Sequence, residues 1–128
     1  GNHEFDKGPA ALAEFAKGAA FPLLASNLDL TDEPLLRERI GRSATLVVGG
    51  ERIGVVGAVT EELPTISFPG DNVRMRPLVA SLQAEIDALT GEGINKIVLV
   101  THCGYQEEQA IARALRGPED AAALWERG

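Results

Sequence analysis

The sequence predicts one α/β domain, because stretches typical of strands alternate with stretches typical of helices along 128 residues. Residues Ile94–Thr101 form a near-continuous apolar run, which is typical of a strand buried on both faces of a sheet. Residues Pro77–Thr90 repeat apolar side chains at spacings of four, four and three, as one face of a helix does. Between residues 44 and 59, two β-rich runs flank Gly49–Arg52, which indicates a hairpin.

The first third of the chain is predicted as a loop, a helix and a strand. Residues Gly1–Lys7 are polar and irregular and predict a loop. A helix is expected over Gly8–Gly18, since a proline suits its first turn and a glycine ends the pattern. Three apolar residues share one face of this helix: Leu12, Phe15 and Ala16. Phe21–Ala25 follows as a short buried strand that leads into a loop over Ser26–Asp29.

The remaining elements begin with the hairpin. Its strands are expected over Ala44–Val48 and Ile53–Val59, and a long proline-containing loop follows over Glu61–Asn72. The helix and the apolar strand described above come next. A last helix is expected over Glu107–Leu115, and residues 119–127 are weakly helical.

Composition limits the classes of protein that the chain can belong to. Its formal net charge is −7, and an acidic domain repels a nucleic-acid backbone, so binding to a nucleic-acid polymer is not expected. The apolar runs are only a few residues long, whereas a membrane-spanning helix needs about 20, so no membrane span is predicted. The single cysteine, Cys103, cannot form an internal disulfide.

The chain has two histidines, which are the first candidates for a functional site. His3 lies in the opening polar segment, and His102 follows the apolar strand directly. Ligands of open α/β sheets bind at the carboxyl ends of the strands, so His102 is where a catalytic or metal-binding group is expected. The alternative is that each histidine is a hydrogen-bonded structural residue, which is the commoner role of a lone histidine.

Several motifs in order resemble one family. Gly1–Asp6 reads G-N-H-E-F-D, Phe21–Asn27 runs from a strand into an S-N loop, and Gly49–Gly57 reads G-G-E-R-I-G-V-V-G. Gly93–Tyr105 reads G-I-N-K-I-V-L-V-T-H-C-G-Y. Together these segments resemble the 5′-nucleotidases, a branch of the calcineurin-like metallophosphoesterases, from residue 1 to about residue 117.

The resemblance implies part of a layered calcineurin-like α/β sandwich that is incomplete at both ends. Residues 1–117 are expected to form a partial N-terminal domain of the family, followed by a divergent C-terminal tail over 118–128. The family places D-x-H and G-D motifs before the G-N-H-E motif and a G-H-x-H motif after the last helix. None of these three motifs stands at its expected position in the sequence, so the chain is interpreted as a fragment, or as the product of a shifted reading frame or a decayed gene.

The resemblance also assigns roles to three residues. Asn2 and His102 correspond to ligands of one of two divalent metal ions, with zinc or manganese expected. His3 corresponds to the catalytic histidine, which stabilises the transition state or protonates the leaving oxygen. No residue is assigned to an organic cofactor.

The expected function is therefore that of a dinuclear-metal phosphohydrolase that releases phosphate from nucleotides. The alternatives are a phosphodiesterase or nucleotide-sugar hydrolase of the same superfamily, or a non-catalytic remnant. A nucleotide or another phosphate ester is the expected substrate, with a C-terminal substrate domain missing from this chain. The family resemblance suggests a periplasmic, secreted or cell-surface location. The isolated chain is expected to be inactive, because half of the metal centre is absent.

Other polar residues are interpreted more simply. Cys103 is expected to be a small buried residue rather than a metal ligand. Asn27 and Asp29 follow a strand and are expected to form a turn, although they could approach the site. Glu4 and Asp6 are expected to hydrogen-bond the segment that carries the ligand.

Overall fold

The computed structural model describes residues 1–118 as a mixed α/β structure. Asn2–Phe5 forms a short 3₁₀ helix. The α-helices of the described part are α1 (Gly8–Gly18), α2 (Leu63–Ile66), α3 (Leu78–Gly91) and α4 (Tyr105–Ala114). Its strands are β1 (Leu23–Leu24), β2 (Leu28–Asp29), β3 (Ile40–Gly41), β4 (Ser43–Val48), β5 (Glu51–Val59), β6 (Arg74–Met75) and β7 (Ile97–His102).

The main sheet has three strands in the order β4-β5-β7. Strands β4 and β5 form the predicted hairpin, with Val48 opposite Glu51. Gly49 and Gly50 have φ angles of +59° and +82°, so both central residues of the turn are in the left-handed region, as a type I′ turn requires. Strand β7 runs parallel to β5 and places His102 opposite Val59, which brings the two carboxyl ends together.

One face of this sheet is covered by α3 and α4. Val56 and Ala58 of β5 pack with a cluster of buried residues from these helices: Leu78, Leu82, Leu89 and Ile111. The packing is close at Gly54, where an added Cβ atom would lie 2.7 Å from Cδ1 of Leu89. This face is therefore the core beneath the helices.

Residues 1–118 cover the other face only near the carboxyl end of β5. Val59 packs there in a second cluster with Phe5 of the 3₁₀ helix and Leu12 of α1. Strand β1 crosses at Gly57, where an added Cβ atom would lie 2.2 Å from the carbonyl oxygen of Leu24. The amide of Ser26 donates to the Gly57 carbonyl at 2.7 Å and fixes this crossing.

The rest of that face is open to solvent. Val98 and Val100 of β7 are 50% and 58% exposed, and Leu46 and Val48 of β4 are also exposed. Strand β7 alternates between half-buried and exposed residues. Among residues 1–118, only the helix-facing side of this strand has a covering layer, so the strand is not buried on both faces as its apolar run alone indicates.

Most predicted elements are confirmed within a few residues. The first helix, the hairpin, the helix of α3 and the strand and helix that follow it are all present, and the apolar stripe of α3 is buried as expected. The predicted strand over Phe21–Ala25 is reduced to two residues, Leu23–Leu24. The weak helix expected over 119–127 lies outside the described residues, as does the predicted tail except for Pro118, which is buried.

Three details differ from the sequence prediction. The segment Gly1–Lys7 holds a 3₁₀ helix rather than only a loop, because Phe5 is drawn into the core. Phe15 is 52% exposed and stacks edge-to-face on Phe21, so α1 buries Leu12 and Ala13 instead. The loop over Glu61–Asn72 contains the short helix α2. Over residues 1–118, no helix combines the length and apolar character that a membrane crossing requires.

Candidate functional site

The opening segment lies against the carboxyl end of β7. A Cβ atom added to Gly1 would lie 3.6 Å from Cδ2 and 3.8 Å from Cβ of His102. Asn2, the next residue, is buried, and Phe5 anchors the same turn in the core. The fold thus brings the first residues of the chain next to a histidine that is about a hundred positions away in sequence.

His3 projects from this turn into solvent. Its side chain is 80% exposed, and its Nδ1 lies 2.7 Å from Oδ2 of Asp6. When Nδ1–H donates to this carboxylate, the neutral ring presents Nε2 outward as an acceptor, and the protonated ring presents it as a donor. The arrangement suits proton transfer or charge stabilisation at an exposed phosphate ester.

Asp6 is held from two sides. The His3 ring lowers the pKa of the Asp6 carboxyl below its ordinary value, and the hydroxyl of Ser67, 2.8 Å from Oδ1, lowers this pKa further. The carboxylate is therefore ionised at neutral pH and orients the imidazole. Glu4, the other acidic residue expected to support this segment, lies with its Oε2 beside the backbone nitrogen of Gly1.

Asn27 is a structural residue rather than part of the site. Its Nδ2 donates to the Val59 carbonyl at 2.7 Å, and its Oδ1 accepts from the Val59 amide at 3.0 Å. The side chain is fully buried and acts as a short extension of the sheet at the end of β5. Asp29 forms the expected turn, since its Oδ1 accepts from the amide and the hydroxyl of Thr31.

Cys103 lines a pocket of ≈ 590 Å³ beyond the ends of β5 and β7, together with Thr60 and Tyr105. Burial raises the pKa of the Cys103 thiol, and nearby carboxylates, led by that of Glu108, raise it further. A thiol with a raised pKa is mostly protonated at neutral pH and is therefore a poor nucleophile. The thiol is half-buried, which is close to the small buried residue expected from the sequence.

Asn2 and His102 match the chemistry of a divalent-metal site but do not complete one. An amide oxygen and an imidazole nitrogen are suitable donors for zinc or manganese. A stable zinc site takes about four ligands, and residues 1–118 contain no group of three His, Cys, Asp or Glu side chains placed to hold a metal. The assignment of these two residues as ligands, and of His3 as the catalytic residue, stays a prediction.

Ser67 is the residue near the site that sequence reasoning missed. It lies in the long loop after α2 and shows no motif or periodicity of its own. Only the folded chain reveals its bonds to residues about sixty positions away.

Comparison with known structures defines the class of protein. The calcineurin-like phosphoesterase YfkN from Bacillus subtilis matches 81% of this chain with a TM-score of 0.58 at 23% identity, over 34% of its own length. At that identity the likeness shows the fold, and the chain therefore has the calcineurin-like phosphoesterase fold. No protein-family model matches the chain.

More similar proteins narrow this class. The 5′-nucleotidase of Diplobatis ommata is 38% identical over 120 residues, which is 91% of this chain and 21% of that protein. The structure of the 5′-nucleotidase precursor from Thermus thermophilus is 43% identical with a TM-score of 0.85, over 88% of this chain and 22% of its own. The chain belongs to the 5′-nucleotidase family and spans about a fifth of the length of these relatives.

Proposed function

We propose that this chain supplies part of the catalytic domain of a metal-dependent phosphohydrolase that releases phosphate from nucleotides. The observation that carries the proposal is the placement of Gly1, the residue before Asn2 and His3, against His102 at the carboxyl end of the parallel strands β5 and β7. The names of the similar proteins supply the substrate class.

Each residue of the turn has a separate task in this proposal. Asn2 and His102 would hold a divalent ion, zinc or manganese, which when bound polarises a phosphoryl oxygen and generates hydroxide from water near neutral pH. His3, kept in one orientation by Asp6, faces the phosphate from solvent and stabilises or protonates the departing oxygen. A second ion and its ligands would come from segments that residues 1–118 do not contain.

A chimeric enzyme tests the proposal. Residues 1–118 replace the matching segment of the Thermus thermophilus 5′-nucleotidase, and phosphate release from AMP is measured with zinc or manganese. We expect activity that requires the metal and falls about a hundredfold or more in His3→Ala, since general acid–base groups contribute 10²–10⁴-fold. A folded chimera without metal-dependent phosphate release would overturn the proposed function.

The isolated 128-residue chain serves as the comparison. We expect no significant phosphate release from AMP with or without zinc or manganese, because Asn2 and His102 alone provide too few ligands. Robust, metal-dependent turnover by this chain, abolished in His3→Ala, would show that the incomplete-site argument is mistaken.

A further inference from the structure

Ser67 joins both ends of the turn that carries Asn2 and His3. Its Oγ lies 2.9 Å from the backbone carbonyl oxygen of Asn2 and 2.8 Å from Oδ1 of Asp6. Both partners are acceptors, so the one hydroxyl hydrogen is shared between them. The residue is 8% exposed, and water is therefore a poor substitute for either bond.

The backbone around Ser67 is itself fixed. Its amide donates to the Leu63 carbonyl at 3.1 Å, which closes the short helix α2. Two residues further on Pro69 is buried, and Gly70, with φ of +79°, comes close to Pro9 at the start of α1. The serine is thus presented from a segment that is packed against the core and against α1.

The Asn2 carbonyl and the Asp6 carboxylate position different parts of the candidate site. The first belongs to the residue expected to bind metal, and the second orients the ring of His3 at 2.7 Å. Because Ser67 contacts both groups with one hydroxyl, it fixes the distance between Asn2 and the imidazole of His3. Misplacement of such a group by about 1 Å can cost a hundredfold in rate.

We propose that Ser67 is a positioning residue that holds Asn2 and, through Asp6, His3 in the geometry required for phosphate release. This inference rests on the proposed function. Ser67 lies in the loop after α2. In this scheme it contacts neither the metal nor the substrate and acts through hydrogen bonds alone.

The test uses the active chimera described above. In Ser67→Ala we expect kcat to fall about tenfold or more, as is usual when a supporting hydrogen bond of a metal site is removed, with KM within about twofold. Ser67→Thr, which keeps the hydroxyl, should retain most of the activity. In the His3→Ala background the effect of Ser67→Ala should shrink, because the group being oriented is gone.

Two further measurements separate positioning from stability. In crystals of metal-free Ser67→Ala, the Asp6 carboxylate should turn away and the His3 ring should leave its 2.7 Å contact. The matched control is Ser43→Ala, which removes a hydroxyl that donates to Glu85 at 2.7 Å between β4 and α3, outside the site. It should change kcat by less than about twofold.

The outcomes distinguish the two claims. An unsubstituted chimera without activity counts against the proposed function. An active chimera in which Ser67→Ala is as fast as the parent overturns the role of Ser67 alone. An equal loss with and without His3 overturns the action of Ser67 on His3 through Asp6.

Discussion

At the scale of single residues, the candidate site combines a local hydrogen bond between His3 and Asp6 with bonds from Ser67 that cross about sixty positions in sequence. His3 is oriented by Asp6, Asp6 by Ser67, and the turn as a whole is placed by the burial of Asn2 and Phe5. The exposed imidazole gains its orientation from neighbours that are themselves less free to move. This is how an exposed side chain can be held in one orientation.

The interactions of Asp6 should affect how the free energy of unfolding changes at acidic pH. The pKa of this carboxyl is lowered from 3.8, by His3 first and by Ser67 second. A carboxyl whose pKa is lower in the folded state than in the unfolded state stabilises the fold at any pH above its unfolded-state pKa. This stabilisation is lost as the pH falls through the folded-state pKa. We therefore expect the difference in free energy of unfolding between the parent and Asp6→Asn to shrink as the pH falls below about 4.

Urea unfolding between pH 6 and pH 3 measures this difference. In a His3→Ala background the pH dependence should become weaker, because the main cause of the lowered pKa is gone. If the difference in free energy of unfolding between the parent and Asp6→Asn grows as the pH falls, the stabilising role given to the ionised Asp6 is contradicted.

Asn27 should be important for stability and not for chemistry. Replacement by alanine leaves the buried amide and carbonyl of Val59 without the partners at 3.0 and 2.7 Å. We expect Asn27→Ala to cost about 2–4 kcal/mol in urea unfolding, since each unsatisfied buried group costs about 1–3 kcal/mol. The exposed Asn72 is the control, and Asn72→Ala should change stability by less than about 0.5 kcal/mol.

At the scale of elements, β5 organises the domain. It pairs with β4 on one side and β7 on the other, and it contacts α3 through one face and β1 through the opposite face. Gly54 and Gly57 lie on these two faces at the closest approaches. The central strand therefore uses glycine where neighbouring elements come too near for a side chain.

The crossing of β1 over β5 gives a direct test. In Gly57→Ala the added methyl would lie 2.2 Å from a backbone oxygen that cannot move without displacing β1. We expect a loss of about 3 kcal/mol or more, at the upper end of overpacking costs. Gly91→Ala, at the end of α3 with no atom within 4 Å of the added methyl, should be neutral or stabilising by up to about 1 kcal/mol. Equal effects of the two substitutions in thermal melts would contradict this reading.

At the scale of the whole molecule, residues 1–118 cover one face of the main sheet and leave the other largely open. The open face carries Val98, Val100, Leu46, Val48 and Phe21, all exposed. Among residues 1–118, β7 has a strand partner on one side only. An exposed apolar face beside an unpaired edge favours association between molecules.

We therefore expect the isolated chain to be marginally stable and prone to aggregation, with a melting temperature below about 65 °C. The double substitution Val98→Lys and Val100→Lys should reduce light scattering without lowering the melting temperature by more than a few degrees, since both side chains are at least half exposed. Val56→Lys places a charge on the fully buried face of β5 and should prevent folding. A sharp melt above 65 °C and no scattering in the parent chain would contradict this expectation.

Much of the fold can be predicted from the sequence, because its signals are local. The glycine pair at 49 and 50 specifies the hairpin, and the apolar spacing of Leu78, Leu82, Ile86 and Leu89 specifies α3. The strand that ends at His102 is equally clear. The two-residue strands β2, β3 and β6 were missed, since they exist through pairing with distant segments and have no repeating pattern of their own.

The sequence by itself determined the order of the main elements, the family, and the candidate site residues Asn2, His3 and His102. Only the tertiary structure decided that Gly1 lies against His102, that Asn27 binds Val59, that Phe15 is exposed and that Ser67 joins Asn2 to Asp6. Periodicity and turn chemistry act over a few residues and can be read along the chain. Contacts between residues more than 30 positions apart depend on how the elements pack, and that packing is set by the whole core rather than by any one segment.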